Sequence, residues 1–275
     1  MSAGPGTLTV LVLGGTAEAR ALAAALAGRP GLRLISSLAG RVSNPVLPEG
    51  EVRVGGFGGT DGLAGWVRTE HVTAVVDATH PFAETISAHA AAACAQAGVP
   101  LLRLVRPGWQ AQQGDHWCDA RSLADAAAML PGLGTRVFLT TGRQGLAAFA
   151  GLDRLWFLIR CVDPPTGPLP GRQEVLLARG PYTAEAELAL MRQFAIDVLV
   201  TKNSGGELTA GKLAAARQLG IPVVMVRRPA AAAPAAAAST ATVDDAVSWV
   251  LDQVQPETGR HPARTRWPPA DSSGG

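Results

Sequence analysis

The stretch TLTVLVLGGTAEAR, Thr7–Arg20, decides the fold. Thr7–Leu13 is a short apolar run rich in β-branched residues. Gly14-Gly15 breaks it, and an alanine-rich helical pattern, Ala17–Ala27, follows at once. Strand, glycine turn and helix make the opening unit of a nucleotide-binding α/β domain. Such a turn gathers backbone N–H groups and a helix N-terminus at one point, where aligned peptide dipoles favour a phosphate. The G-x-G-x-x-G fingerprint falls on Gly14, Thr16 and Ala19. Thr16 would add a hydroxyl donor to the anion site, and Ala19 is small enough for close helix–strand packing. On its own, a Gly-Gly turn after a buried strand is also an ordinary tight turn.

The segment SSLAGR, Ser36–Arg41, separates the readings. An enzyme using NAD normally places Asp or Glu about 20 residues beyond the glycines, for the ribose 2′-OH. Here the second strand, Leu32–Ser36, runs into Ser36 and Ser37 with Arg41 behind them, and no acid appears before Glu49. Two hydroxyls and a guanidinium suit the 2′-phosphate of NADP(H), which a carboxylate would repel. The alternative is a polar loop with a solvated arginine.

At 275 residues the chain exceeds the usual single α/β sheet and reads as two domains. We expect an NADP(H)-binding Rossmann-like domain over 1–108, a second α/β domain over 109–254, and a disordered tail over 255–275. Apolar residues make up 47% and charged ones 17%, enough to bury two cores. No continuous apolar stretch of about 20 residues appears, which argues against a membrane span. No signal peptide is read at the N-terminus. Three scattered cysteines argue against a disulfide framework and fit a reducing cytoplasm. A net charge of +2 gives no global pull toward nucleic acid. The histidines lack metal-ligand spacing, so no metal is expected.

Along the chain, strands and helices alternate. Strands are expected at Val52–Val54, Thr73–Asp77, Leu101–Val105, Arg136–Thr140, Trp156–Val162, Glu174–Ala178, Asp197–Thr201 and Pro222–Val226. Helices are expected over Asp61–Thr69 with Thr60 as N-cap, from Pro81 through Ala97, over Ala184–Phe194, on to Leu219, and over Val243–Val254. Ala230–Ala238 reads as a low-complexity loop. The pattern implies two mostly parallel sheets with right-handed crossovers. Polar motifs follow the strands: Gly14–Thr16, Ser36–Arg41, Thr79–Pro81, Thr141–Gln144, Arg179–Tyr182 and Lys202–Gly206. In open parallel sheets ligands bind at these carboxyl ends, so two facing sheets would make a cleft with dinucleotide on one wall and substrate on the other. Arg143, Arg160, Arg179 and Lys202, at or near second-half strand ends, favour an anionic substrate.

LGGTAEAR, SSLAGR, GGFGG, VVDATHPFA, VPLLRLVRPGW, LTTGRQ, RGPY and VTKNSGG occur in that order over residues 7–228. In these the chain resembles the precorrin-6A reductase family of cobalamin biosynthesis. The resemblance implies two Rossmann-like domains around a cleft, NADPH as reductant, and a methylated tetrapyrrole bearing acetate and propionate side chains as substrate. It implies reduction of the C18–C19 double bond. By matching motif, Gly14, Gly15, Thr16 and Ala17 would surround the pyrophosphate, and Ser36, Ser37 and Arg41 would hold the 2′-phosphate. Gly56, Phe57, Thr79 and Pro81 would line the nicotinamide side, beside Asp77 and His80. Arg143, Arg179, Tyr182, Lys202, Asn203 and Ser204 would meet substrate carboxylates. His80 and Asp77 are the candidate catalytic groups, although His80 before proline also suits a helix cap and Asp77 a turn organiser. Three alternatives stay open: a cobalt-containing ring, another NADP-dependent reductase of a polyanion, and a non-catalytic NADPH sensor. Transient contact with neighbouring pathway enzymes is also expected.

Overall fold

The computed structural model describes residues 7–40, 45–229 and 238–254. Two six-stranded, all-parallel sheets carry the fold. The first is built from β1 (Leu8–Leu13), α1 (Ala17–Leu26), β2 (Leu32–Leu38), β3 (Glu51–Val54), α2 (Gly59–Thr69), β4 (Val72–Asp77), α3 (Glu84–Ala97) and β5 (Leu101–Leu104). The second contains β6 (Trp117–Ala120), α4 (Leu123–Met129), β7 (Arg136–Leu139), β8 (Trp156–Cys161), β9 (Gln173–Leu177), α5 (Ala184–Gln193), β10 (Val198–Lys202), α6 (Gly211–Leu219) and β11 (Val223–Val226). The chain then forms β12 (Ala238–Thr240) and α7 (Val243–Val254).

The strand orders are β12-β5-β4-β1-β2-β3 and β6-β11-β10-β7-β8-β9. Both follow the doubly wound Rossmann order, reversing between β1 and β4 and again between β7 and β10. Central strands are apolar on both faces because helices cover both. Val10, Val12, Ala74 and Val76 pack under α1 and α7, while Leu11, Leu13 and Val75 pack under α2 and α3. In the second sheet Val137, Leu139 and Val200 face α4, while Phe138, Leu158 and Leu199 face α5 and α6. Each Val, Leu and Phe among these contributes about 1.5–3 kcal/mol by leaving water.

Several expectations need correction. The segment 238–254, expected with the second domain, belongs to the first sheet. Its strand β12 pairs with β5 (Ala238↔Leu102, Thr240↔Leu104), and Ala246 and Val250 of α7 are fully buried in the core beneath α1. The second sheet takes its edge strand from β6, paired with β11, where no strand was expected. Helix α2 is capped by Gly58 at φ 81°, since Gly58 and Gly59 both accept positive φ and start the helix before Thr60. Pro81 precedes α3 and occupies the second position of a turn closed by Ala83 N–H donating to His80 O (2.7 Å).

Candidate active site

The loops at the carboxyl ends of the two sheets enclose a cleft of about 660 Å³. Its first wall carries Gly14, Gly15 and Arg20 beside β1, Ser37–Gly40 at the end of β2, and Gly55–Gly59 beyond β3. Thr79, His80 and Phe82 extend that wall, and Gln144, Arg179 and Lys202 come from the second half. Glu84 is the one carboxylate among the described lining residues, against Arg20, Arg179 and Lys202. The balance favours an anionic occupant.

At the glycine turn, Gly15 has φ 111° and open space where a Cβ would stand. Thr16 is the N-cap of α1: its Oγ1 accepts from Ala19 N–H (3.1 Å) and donates to Ala78 O (2.8 Å). The hydroxyl expected to face an anion instead ties the β1 turn to the β4 turn. Ser36 and Ser37 lie near the end of β2 on opposite faces, and both are buried. Ser36 Oγ has no hydrogen-bond partner among the described residues, while Ser37 Oγ accepts from Arg53 (3.3 Å). Gly56 and Phe57 line the cleft, and Ala17 begins α1 outside it. Arg41 lies outside the described residues.

Asp77 is buried and organises its own turn. It accepts from Thr79 N–H (3.1 Å) and Thr79 Oγ1 (2.6 Å), with Arg103 3.6 Å away. That leaves it away from the cleft rather than poised to move a proton there. His80 accepts from Phe82 N–H through Nδ1 (3.3 Å). Its ring has exposed area, but the space it faces is the cleft, where protein displaces most bulk water. That loss of hydration, with the positive charges of Arg106, Lys202, Arg228 and Lys212, holds its pKa down from 6.5 to about 4. Lys202 ends β10 with Nζ 5.4 Å from the Phe82 ring centre, and burial lowers its pKa below the usual lysine range.

Four other expected substrate contacts do not line the cleft. Asn203 clamps the interdomain strap, accepting from Trp109 N–H (2.7 Å) and donating to Trp109 O (3.1 Å). Ser204 is buried, and its carbonyl accepts from Arg106 (2.7 Å) and Arg228 (3.1 Å). Tyr182 donates to Ala178 O (2.8 Å) and lies 3.7 Å beneath the Arg160 guanidinium. Arg143 lies outside the lining as well. Arg160, read as a strand-end cation for an anionic ligand, is instead buried in a two-bond pair with Glu187 (2.5 and 2.9 Å). A buried guanidinium needs such a partner.

A family model described as Precorrin-6x reductase CbiJ/CobK matches residues 9–251. The chain belongs to this family. A precorrin-6A reductase from Rhodococcus erythropolis is 59% identical over 244 residues, 88% of this chain and 96% of that protein. A cobalt-precorrin-6A reductase from Salmonella typhimurium is 35% identical over 235 residues, 80% of this chain and 87% of that protein. A solved structure of CobK precorrin-6A reductase aligns with a TM-score of 0.83 at 44% identity, covering 90% of this chain and 97% of that one.

In this member of the precorrin-6x reductase family, two arginines shape the site without having stood out in the sequence. Arg53 donates to Gly55 O (2.6 Å) and Gly56 O (2.7 Å) and stacks 3.7 Å over the Phe57 ring, fixing the GGFGG loop. In the sequence it reads as a charge on a short edge strand. Arg106 bridges the walls, donating to Glu18 (2.7 Å) on α1 and to Ser204 O across the junction. Its position after β5, inside LVRPGW, was the available signal.

Proposed function

We propose that this chain reduces precorrin-6A to precorrin-6B with NADPH in cobalamin biosynthesis. One observation carries the reading: a single cleft with a glycine turn and an acid-free strand end on one wall, and Arg179 and Lys202 on the other. The residues fit NADPH. The open backbone at Gly15 and the α1 N-terminus suit a pyrophosphate. Ser36 and Ser37 have no carboxylate where NAD enzymes need one, and the Ser36 hydroxyl is buried without a partner, a state that calls for a ligand or water.

In this reading Gly14 and Gly15 hold the pyrophosphate, Ser36 and Ser37 the 2′-phosphate, and Gly56, Phe57 and Thr79 the nicotinamide end. When bound, NADPH would supply a hydride for C19 of the macrocycle, and a proton would add at the neighbouring C18 to complete reduction of the C18–C19 double bond. The protein's part is to hold donor and acceptor carbons in near-attack geometry and keep water out. Arg179 and Lys202 pair with acetate and propionate carboxylates and select the face presented. His80 is neutral near pH 7, so it has no imidazolium proton to give and serves to hold the turn through Nδ1. The same reading puts the chain in the cytoplasm, with transient contact to neighbouring pathway enzymes. Cys94, Cys118 and Cys161 are unpaired, as a reducing compartment keeps them. Among the described residues no helix is long and apolar enough to cross a membrane.

Incubation of purified protein with precorrin-6A and NADPH tests the reading. Nicotinamide absorbance should fall while the product mass rises by two hydrogens, and no consumption of NADPH would refute it. A cobalt-bound ring presents the same carboxylates. The higher identity to the Rhodococcus reductase than to the Salmonella one favours the metal-free ring. Parallel incubation with cobalt-precorrin-6A compares the two.

A further inference from the structure

The geometry points to Arg20 as the residue that recognises the phosphate on the adenosine ribose, working with the orphaned Ser36 hydroxyl. The inference rests on the NADPH reading above and adds the cation that sets the preference for the phosphorylated carrier. Arg20 is the fourth residue of α1, after the Thr16 cap. It lines the cleft, and with Gly14, Gly15, Ser36 and Leu38 it also lines a recess of about 10 Å³ at the end of β2. That is room for one water or one phosphoryl oxygen. In a dinucleotide fold the end of β2 is where the ribose 2′ position lies, and an arginine nearby accommodates a 2′-phosphate.

Two observations favour this residue over its neighbours. Among the described residues the Arg20 guanidinium makes no hydrogen bond or ion pair, so its charge is free for a ligand. Among the described residues Arg53 is another cation near the end of β2, but its Nη1 and Nη2 already serve Ser37 Oγ and the carbonyls of Gly55 and Gly56. Ser36 supplies the second half of the site: 1% exposed, lining the recess, its Oγ without a partner. A guanidinium and a dry hydroxyl on one recess make a phosphate clamp, since charge-assisted bonds to phosphate are the strong ones.

Calorimetry with 2′-phospho-ADP-ribose and ADP-ribose on the full chain tests this without turnover. The unmodified protein should prefer the phosphorylated ligand. Arg20→Leu should weaken that ligand by about tenfold or more while leaving ADP-ribose nearly unchanged. Ser36→Ala removes a hydroxyl that bonds nothing among the described residues, so it should fold normally and lose part of the same preference. If Arg20→Leu keeps the full preference, or weakens both ligands equally, the assignment to Arg20 is wrong and the NADPH reading stands. If the unmodified protein shows no preference, the NADPH reading fails and this inference falls with it.

Discussion

His80 lies among cations that change its chemistry from what its sequence position implies. A histidine at a strand end beside a nicotinamide site invites the role of general acid. In the cleft, lost hydration and four nearby positive charges hold it neutral down to about pH 4, while Nδ1 accepts from Phe82 N–H. General acid catalysis contributes about 10²–10⁴-fold. We therefore expect His80→Gln, which can keep an acceptor for that N–H, to lower kcat by less than about tenfold; a loss within the range of general acid catalysis would restore the acid role. Stability gives a second readout. Above pH 6.5 the imidazole is neutral in folded and unfolded chains alike. Between 6.5 and about 4 the unfolded chain takes up a proton that the folded one refuses, so stability falls as pH drops through that window and levels off below it. His80→Gln should flatten this part of the Tm–pH curve, and an unchanged slope would mean that the ring is not held neutral. Lys202 differs in being a cleft cation at a strand end. Lys202→Ala should weaken tetrapyrrole binding and leave NADPH affinity nearly intact, as paired titrations would show.

Among the elements, those with an apolar run or a helical period were legible, the four-residue strands β3, β5, β7 and β11 included, and β6, β12 and α4 were not. Thr7–Leu13, the glycine turn and the alanine-rich helix declared a Rossmann unit because apolar strand, Gly-Gly break and helical period agree at every level. Strand β6, Trp117–Ala120, has Asp119 in its middle, and β12 spans three residues, so neither has an apolar run to read. Helix α4 did leave a sign: Ser122 caps it by accepting from Asp125 N–H (3.0 Å), the Ser-x-x-Asp spacing of a capping box. Pairing across sequence distance was invisible, and that is why α7 was placed with the wrong sheet. Nothing local in α7 says which core its apolar stripe will cover. Val250 is fully buried beneath α1, so Val250→Ala should cost about 2 kcal/mol. Hydrogen exchange should quicken in β4, β5 and α1. Faster exchange in β10 and β11 instead would return α7 to the second sheet. In the site, the positions of the anion-binding loops could be read, but which of their side chains would face inward could not. Asn203 and Tyr182 sit in the right loops and turn to backbone carbonyls and amides that would otherwise go unpaired.

At the scale of the molecule, each sheet has an edge strand that breaks the sequence order of its half. The chain leaves the first sheet after β5 and builds the second, β6 included. It then returns through β12 to pair with β5. It therefore crosses the junction twice, and polar clamps surround the first crossing. Arg228 donates to Arg106 O (2.8 Å), Asn203 O (2.8 Å) and Ser204 O (3.1 Å). Gly205 lets the loop close on the strap, because a Cβ there would stand 1.9 Å from Pro107 O. Arg106 sits at the centre, one end on Glu18 in the first turn of α1 and the other on Ser204 two residues beyond Lys202. It thus fixes the distance between the wall proposed for the reductant and the wall proposed for the ring. A misplacement of about 1 Å between reacting groups can cost about 10²-fold in rate. Arg106→Met keeps the apolar stem and removes both bonds. It should lower kcat by about 10-fold to 10²-fold, since the walls lose their spacing. The dissociation constant for NADPH should barely move, because the reductant touches one wall only. Glu18→Gln should reproduce part of the loss, and the double variant should be no worse than Arg106→Met alone, as expected for two residues acting through one contact. If Arg106→Met lowers Tm and leaves kcat untouched, the bridge only stabilises the fold, and the spacing of the cleft is set by the strap and its glycines.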